Sequence, residues 1–510
     1  MLTTFDTLFI LVIILILLYF YLTWNYKYWK NHGIAYEKPN LFFGNLTDAF
    51  LGKKTFGDIF TNIYWNHPDQ KVVGWYKLRQ PGILIRDPNL VKKVLINDFY
   101  SFRNNDFHLD EDIDPVLGKN IFVLKDDKWK RHRALMTPAF TAGKIKAMFL
   151  IMVEVAKELV EFLKEHPEEI HVKQVMSRYT AEIVARCALG IDGRNFKENV
   201  PEMHEMGKLF FEPDLARNLK LMALFFLPRV GRLLRLRMMT IKAKNFFDSI
   251  LHDVIKYRQE KKIDRNDLIQ YLIEVKRKSL IVSKGEVESD IITKTYTDED
   301  ILAGCATFFM EGYETSALTL NNILYYLAKN KNVQDTLRQE IDSVLNEGNI
   351  TFETLNAMPY LNSVFLETGR MLPVMYTFQK LCTENYEMDI GESKPLLIEK
   401  GTPVVLPIFA IQNDSTYWEN PHIFNPDRFL NNENTDRKST NNFFQFGDGP
   451  RMCPGMRIAS TIVKLAIFHI CANLEVFPTS KTPDKFEFDP TYFMIGHKGG
   501  IYLRFAERSN

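Results

Sequence analysis

The sequence predicts a mainly helical single domain with small β-sheets, preceded by an N-terminal membrane anchor. Three observations carry that prediction. Leu8 to Leu22 is an unbroken apolar and aromatic run, and no residue from Thr7 to Tyr26 is charged. The stretch from Ile301 through Leu327 is too apolar around its circumference for a surface helix, so it predicts a buried central one. Strand-like alternation is confined to short pieces such as Lys71 to Arg86. Across 510 residues there is no repeat, no Gly/Ser linker and no compositional break after the N-terminus. The chain therefore divides into an anchor and linker over 1–30 and one large body over 31–510.

The apolar run with its flanks is long enough for a bilayer core of about 30 Å. Bulky Leu22-Thr23-Trp24-Asn25-Tyr26 offers no small-residue cleavage site, which argues against a removed signal peptide. Lys27 and Lys30 follow the span and place the body on the cytosolic side. A formal charge of +1 and 46% apolar residues allow a large core and give no global attraction to nucleic acid. Five cysteines, at 187, 305, 382, 453 and 471, are scattered, odd in number and without CxxC spacing, so neither a disulfide framework nor a structural zinc site is expected.

In chain order, Val72-Val73-Gly74-Trp75-Tyr76 and Ile83-Leu84-Ile85 predict paired strands, and Pro88 to Asn97 a helix. Phe102 to Phe122 is irregular and rich in Asp. Trp129-Lys130-Arg131-His132-Arg133 starts a helix on which Trp129 and Arg133 stand one turn apart; alone, this short motif is explained better by a solvated basic face than by a binding site. Lys128, Lys130, Arg131, Lys144 and Lys146 make a basic cluster. Between Leu215 and Phe247 there are eight Lys or Arg residues and no acid, interleaved with apolar groups that include Phe225-Phe226-Leu227; this predicts a face lying on anionic lipid, with a solvated helix pair as the alternative.

Thr297-Asp298-Glu299-Asp300 predicts the start of the central helix. Within it, Glu311-Gly312-Tyr313-Glu314-Thr315-Ser316 sets two carboxylates and hydroxyls where apolar residues are expected. Unpaired polar groups buried there cost about 1–3 kcal/mol each, so a purely structural role explains them poorly. Glu367 and Arg370 stand at i, i+3 on a helix over Leu361 to Met371, and Asn425-Pro426-Asp427-Arg428-Phe429 supplies another arginine. Phe446-Gly447-Asp448-Gly449-Pro450-Arg451-Met452-Cys453-Pro454-Gly455 presents one cysteine after a glycine-rich loop, with Pro454 suited to the first turn of a helix through Met456, Ile458, Ile462 and Leu465. A helix start and a metal would both favour a thiolate at Cys453. The C-terminal Ile495 to Leu503 predicts a hairpin.

The Phe446 to Gly455 run resembles the haem-binding loop of the cytochrome P-450 superfamily. The Trp129/Arg133, Glu311–Ser316 and Glu367/Arg370 runs stand in that family's order, and details such as Leu135-Met136-Thr137-Pro138-Ala139-Phe140 are most like its microsomal, insect detoxifying members. The resemblance implies a helical triangular prism holding haem b, with Cys453 as the iron ligand. It places Trp129, Arg133 and Arg451 at the haem propionates, with Phe446, Gly312 and Glu311 beside the macrocycle. It gives Glu314 and Thr315 the acid and alcohol roles in delivering protons to dioxygen, and makes Glu367, Arg370 and Arg428 a structural network. Lys380 stands where an arginine often meets a propionate. Phe102 to Phe122 would roof the substrate pocket.

Glu311 replaces the family's usual small residue. In the fatty-acid hydroxylating branch a glutamate here becomes ester-linked to haem; a paired or pocket-lining carboxylate is the alternative. The implied activity is oxygen insertion into an apolar xenobiotic, fatty acid or terpenoid, with electrons from NADPH-cytochrome P-450 reductase docked on the basic cluster, and cytochrome b5 as a second donor. The implied location is the endoplasmic reticulum membrane. Two other readings remain open at this point: a peroxide-rearranging enzyme that needs no reductase, and a non-catalytic haem-binding sensor.

Overall fold

A computed structural model describes residues 4–212, 214–283, 295–430 and 442–508. Helices dominate, and the central one, Asp298–Lys329, begins with a capping box: the Thr297 hydroxyl accepts from the Asp300 N–H while the Asp300 carboxylate accepts from the Thr297 N–H at 2.9 Å. This closes a helix end whose first N–H groups otherwise lack partners. From Ile301 onward most of its side chains are buried, as its circumferential apolarity predicts. Packed against it are Val172–Val184 and Met456–Asn473.

The predicted strand pair forms from Val72–Lys77 and Gln80–Ile85, antiparallel and in the register Val72 to Ile85. They edge a five-stranded sheet continued by Pro403–Leu406, Phe378–Leu381 and Asn104–Asn105. A three-stranded sheet orders Ile170–His171, Tyr502–Glu507 and Leu474–Pro478, and a small pair joins Tyr386–Met388 to Leu396–Ile398. The predicted C-terminal hairpin is a correction. Residues 495–503 do not pair with themselves: His497 bridges back to Phe488, Tyr502 pairs with His171, and Leu503 onward pairs with Leu474–Pro478. The tip left between them presents Thr491 to Met494 to the cavity described below.

The apolar run at the N-terminus is a helix, Thr4–Thr23, with its large side chains from Leu8 to Tyr21 exposed. Among the described residues helix Met456–Asn473 has the length and composition of a span as well, but it is mostly buried and belongs to the core. Trp29, inside the stretch read as linker, is 1% exposed; it packs over Gly74 and donates its indole N–H to the Trp75 carbonyl at 3.2 Å.

The basic stretch after Leu215 needs a second correction. Phe225 and Phe226 do not face lipid: Phe225 lines the cavity, and Phe226 stacks on Phe56 with ring centroids 4.1 Å apart. Helix Leu215–Phe226 turns this aromatic edge inward because burial of two phenyl rings outweighs any surface contact. Of the exposed apolar groups here the most exposed follow that helix, with Leu233 81%, Leu234 61% and Ile241 67% exposed beside exposed Arg232, Arg235 and Arg237.

The irregular Asp-rich segment folds over the cavity and is tied to that basic stretch. Asp114 accepts from the backbone N–H of Met238 and of Met239, both at 2.8 Å, and from Leu117 at 3.1 Å; Asp110 pairs with Arg232 at 2.6 Å.

Candidate active site

The cysteine loop is shaped by two glycines at positive φ, Gly447 (+73°) and Gly449 (+66°). At Gly449 a Cβ would stand 2.0 Å from the Leu95 carbonyl oxygen, so no other residue fits. Asp448 accepts from the Gly449 N–H, and the Cys453 N–H donates to the Phe446 carbonyl at 2.9 Å, which turns Cys453 into the floor of the cavity. Phe446 stacks against Phe365 beneath it. The helix starts later than the sequence suggested: Gly455 is its N-cap and Met456 its first residue, so Pro454 lies outside the first turn. Gly455 has an ordinary negative φ and room for a Cβ.

Opposite the floor stand Glu311, Gly312, Thr315 and Ser316 of the central helix. The chamber between them has about 410 Å³ open to the centres of water-sized spheres and is walled mainly by apolar groups, including Phe107, Leu117, Phe210, Phe225, Phe308 and Phe493. The Thr315 hydroxyl donates to the Glu311 carbonyl at 2.5 Å, which leaves its oxygen as an acceptor. Glu314 takes a different direction, because successive helical residues are rotated by about 100°. It does not line the chamber; its carboxylate is fully buried against Val172–Val184, with Lys173 Nζ 2.9 Å from Oε1. Burial raises its pKa, and Lys173 opposes that rise.

Trp129 is buried, and the Arg451 guanidinium covers its face at 4.3 Å. Arg451 also donates to the carbonyls of Arg103, Ile121 (3.2 Å) and Leu124 (2.8 Å). Lys380 donates to the Asn105 side chain at 3.1 Å, and Lys125 to the Asn105 carbonyl. Burial lowers the pKa of all three, to about 9 for Arg451, 7 for Lys380 and 8 for Lys125. Arg133 is lowered too, by burial, with Cys453 and Glu311 pulling it back up. The carboxylates that act on this group are few, and Asp106 and Asp126 are engaged with Lys77 and Arg103, each at 2.7 Å.

So many buried cations with so few counter-ions call for an anion. Among the described residues no cluster of His, Cys, Asp and Glu could hold a bare metal ion, so a metal at Cys453 must arrive with its other ligands already attached. A flat metallomacrocycle with carboxylates on one edge satisfies both demands. Away from the chamber, Glu367 accepts from Arg370 (2.8 and 3.0 Å), Arg428 (3.0 Å) and the Asn425 N–H (3.1 Å), with Arg370 wholly buried.

The family model for cytochrome P450 matches residues 35–504. The chain belongs to the cytochrome P450 family. Cytochrome P450 6k1 of Blattella germanica is 33% identical over 98% of this chain and 97% of its own length. Cytochrome P450 6B7 of Helicoverpa armigera is 32% identical over 98% of each, and a probable cytochrome P450 9f2 of Drosophila melanogaster 32% over 95% and 96%. This P450 is thus a monooxygenase of the insect branch that its sequence resembles, in a family whose haem is held by a cysteine thiolate and whose electrons come from redox partners.

Several P450 site groups escaped the sequence reading. Asn120 lies in the irregular roof, Asn105 on a two-residue strand and Lys125 just ahead of helix Asp126–Met136, places where no periodicity marks a side chain as inward. Lys173 meets Glu314 across 141 positions of chain, and nothing local signals such a pair. Of the basic cluster, Lys130 and Arg131 are exposed, while Lys128 and Lys146 are paired with Glu111 and Glu353.

Proposed function

We propose that this P450 inserts one oxygen atom of O2 into an apolar small molecule, with haem b on Cys453 and electrons from NADPH through a membrane-bound reductase. The observation that carries the reading is the apolar chamber with Cys453 on one wall and Thr315 facing it. Cys453 would ligate the iron, and Arg133, Arg451, Lys380 and Lys125 would hold the carboxylate edge. When bound, the haem supplies a thiolate-ligated iron at which dioxygen is activated.

The chain's own part is to keep water out and bring protons in. Thr315 offers an acceptor oxygen to the chamber, since its proton is committed to the Glu311 carbonyl. Glu314, one residue away, holds a proton more readily than an ordinary carboxylate because of its burial. Lys173, with a fifth of its side chain exposed, links that acid to solvent. A buried acid beside Lys173, on the helix that presents Thr315, is what an oxygenase needs and what a rearranging enzyme or a sensor does not.

Helix Thr4–Thr23 serves as a single-pass anchor in the endoplasmic reticulum membrane, ahead of a catalytic body that extends to 510, and exposed Leu233, Leu234 and Ile241 rest on the same lipid. Lys130 and Arg131 offer positive charge to the reductase and to cytochrome b5.

Purified protein, reductase and NADPH should convert apolar probes to products heavier by one oxygen. Cys453→Ser should lose both that turnover and the red-shifted carbon monoxide band of the reduced haem. Turnover of peroxides alone, with NADPH idle, would refute the reading.

A further inference from the structure

Of the acidic side chains on the chamber wall, Glu311 stands apart. Glu212 and Asp214 are exposed to water, and Asp448 caps the Gly449 N–H. Glu311 is half-buried and lines the chamber. One helical turn before Thr315, it shares that residue's face.

Its known partner is Asn120, which reaches it from the roof. The direction of that bond is fixed. The bond favours the ionised carboxylate, which can only accept, so the Asn120 amide N–H donates to it, while Asn120 Oδ1 accepts from the Phe122 N–H at 2.7 Å. Arg133 adds its field from the side. A carboxylate has two oxygens and about four acceptor sites, which one amide does not fill. Acceptor capacity left facing an apolar chamber is costly, and an occupant carrying a donor removes the cost.

We propose that Glu311 is the polar anchor for substrate: it accepts a hydrogen bond from a hydroxyl or ammonium group carried by an otherwise apolar molecule, and Asn120 positions the carboxylate for it. The preferred substrates are then alcohols and amines with large hydrocarbon bodies, rather than plain hydrocarbons. The proposal rests on the monooxygenase reading only in calling the occupant a substrate.

The test uses the full-length, haem-loaded protein and two probes of one skeleton, cyclohexylbenzene and 4-phenylcyclohexanol. Affinity for each is read from the ligand-induced shift of the haem spectrum. The ratio of the two dissociation constants should change by about tenfold from wild type to Glu311→Ala, through loss of affinity for the alcohol alone. Should Glu311→Ala fail to load haem, the isosteric Glu311→Gln decides on the same ratio, expected to change about threefold because a neutral carbonyl accepts more weakly than a carboxylate. A ratio unchanged within twofold overturns the proposal. Failure of haem-loaded wild type to bind either probe overturns it together with the substrate-chamber reading. A changed ratio without NADPH-dependent oxidation of either probe upholds the anchor and overturns the monooxygenase reading alone.

Discussion

Replacing Lys380 by methionine should have opposite consequences with and without haem. Lys380 is 2% exposed, and among the described residues its side chain donates to neutral Asn105. A fall in pKa from 10.5 to about 7 amounts to about 5 kcal/mol against the charged form, a ceiling that local relaxation and water entry reduce. The sign follows from linkage. The unfolded chain binds this proton more tightly, so the haem-free protein gains stability as pH rises from about 7 to 10.5, and the full cost stands below 7. Lys380→Met removes that cost, so at pH 6 the haem-free variant should resist denaturant better than wild type by a few kcal/mol, and the advantage should fade by pH 10.

With haem held as proposed, the same ammonium would face carboxylate. A charge-assisted bond is worth about 1.5–3 kcal/mol, so the variant should release haem to a scavenger such as apomyoglobin about ten- to a hundredfold faster. Denaturant titrations at pH 6 and 10 and the haem-transfer rate measure the two effects. A haem-free variant less stable than wild type at pH 6, or an unchanged transfer rate, would refute the argument that these buried cations await an anion.

Glu367→Gln leaves Arg370 a buried cation without its carboxylate and should destabilise the fold by about 3–5 kcal/mol, read as earlier thermal loss of the carbon monoxide band; an unaltered transition would mean the network is redundant. Thr315→Ala should keep haem loading and shift NADPH electrons from product to hydrogen peroxide, measured by the ratio of peroxide formed to NADPH consumed. Charge reversal at Lys130 and Arg131 should slow reductase-driven turnover while sparing peroxide-driven turnover, and the wild-type rate should itself fall with added salt; equal loss in both assays would place the damage at the haem site.

What was legible in the sequence was what repeats along a helix or is dictated by backbone conformation. The central helix announced itself through circumferential apolarity and its Thr297/Asp300 cap, and the cysteine loop through glycines that φ at 447 and 449 demands. Amphipathic patterning misled at Phe225 and Phe226, since a chamber inside the protein attracts aromatic rings as effectively as a membrane does. The direction of Glu314 was hidden for another reason. One residue's rotation takes it off the face of Thr315, and its partner Lys173 comes from a helix whose packing no local pattern reveals. Lys125 and Asn120 were invisible because irregular chain has no period from which inward positions can be inferred.

The Asp114 clasp joins the chamber's roof to the exposed arginine-rich stretch through two backbone N–H groups, and the Asp110–Arg232 pair repeats the tie nearby. Mechanically, roof and stretch are a single plate. The roof is also tied to the start of the central helix, where Lys119 meets Asp300 at 2.8 Å, so a displacement at Leu233 or Leu234 is carried through the plate to the helix that presents Thr315. Changes in the plate should therefore reach both the exchange of ligands and the setting of the groups that meet them inside.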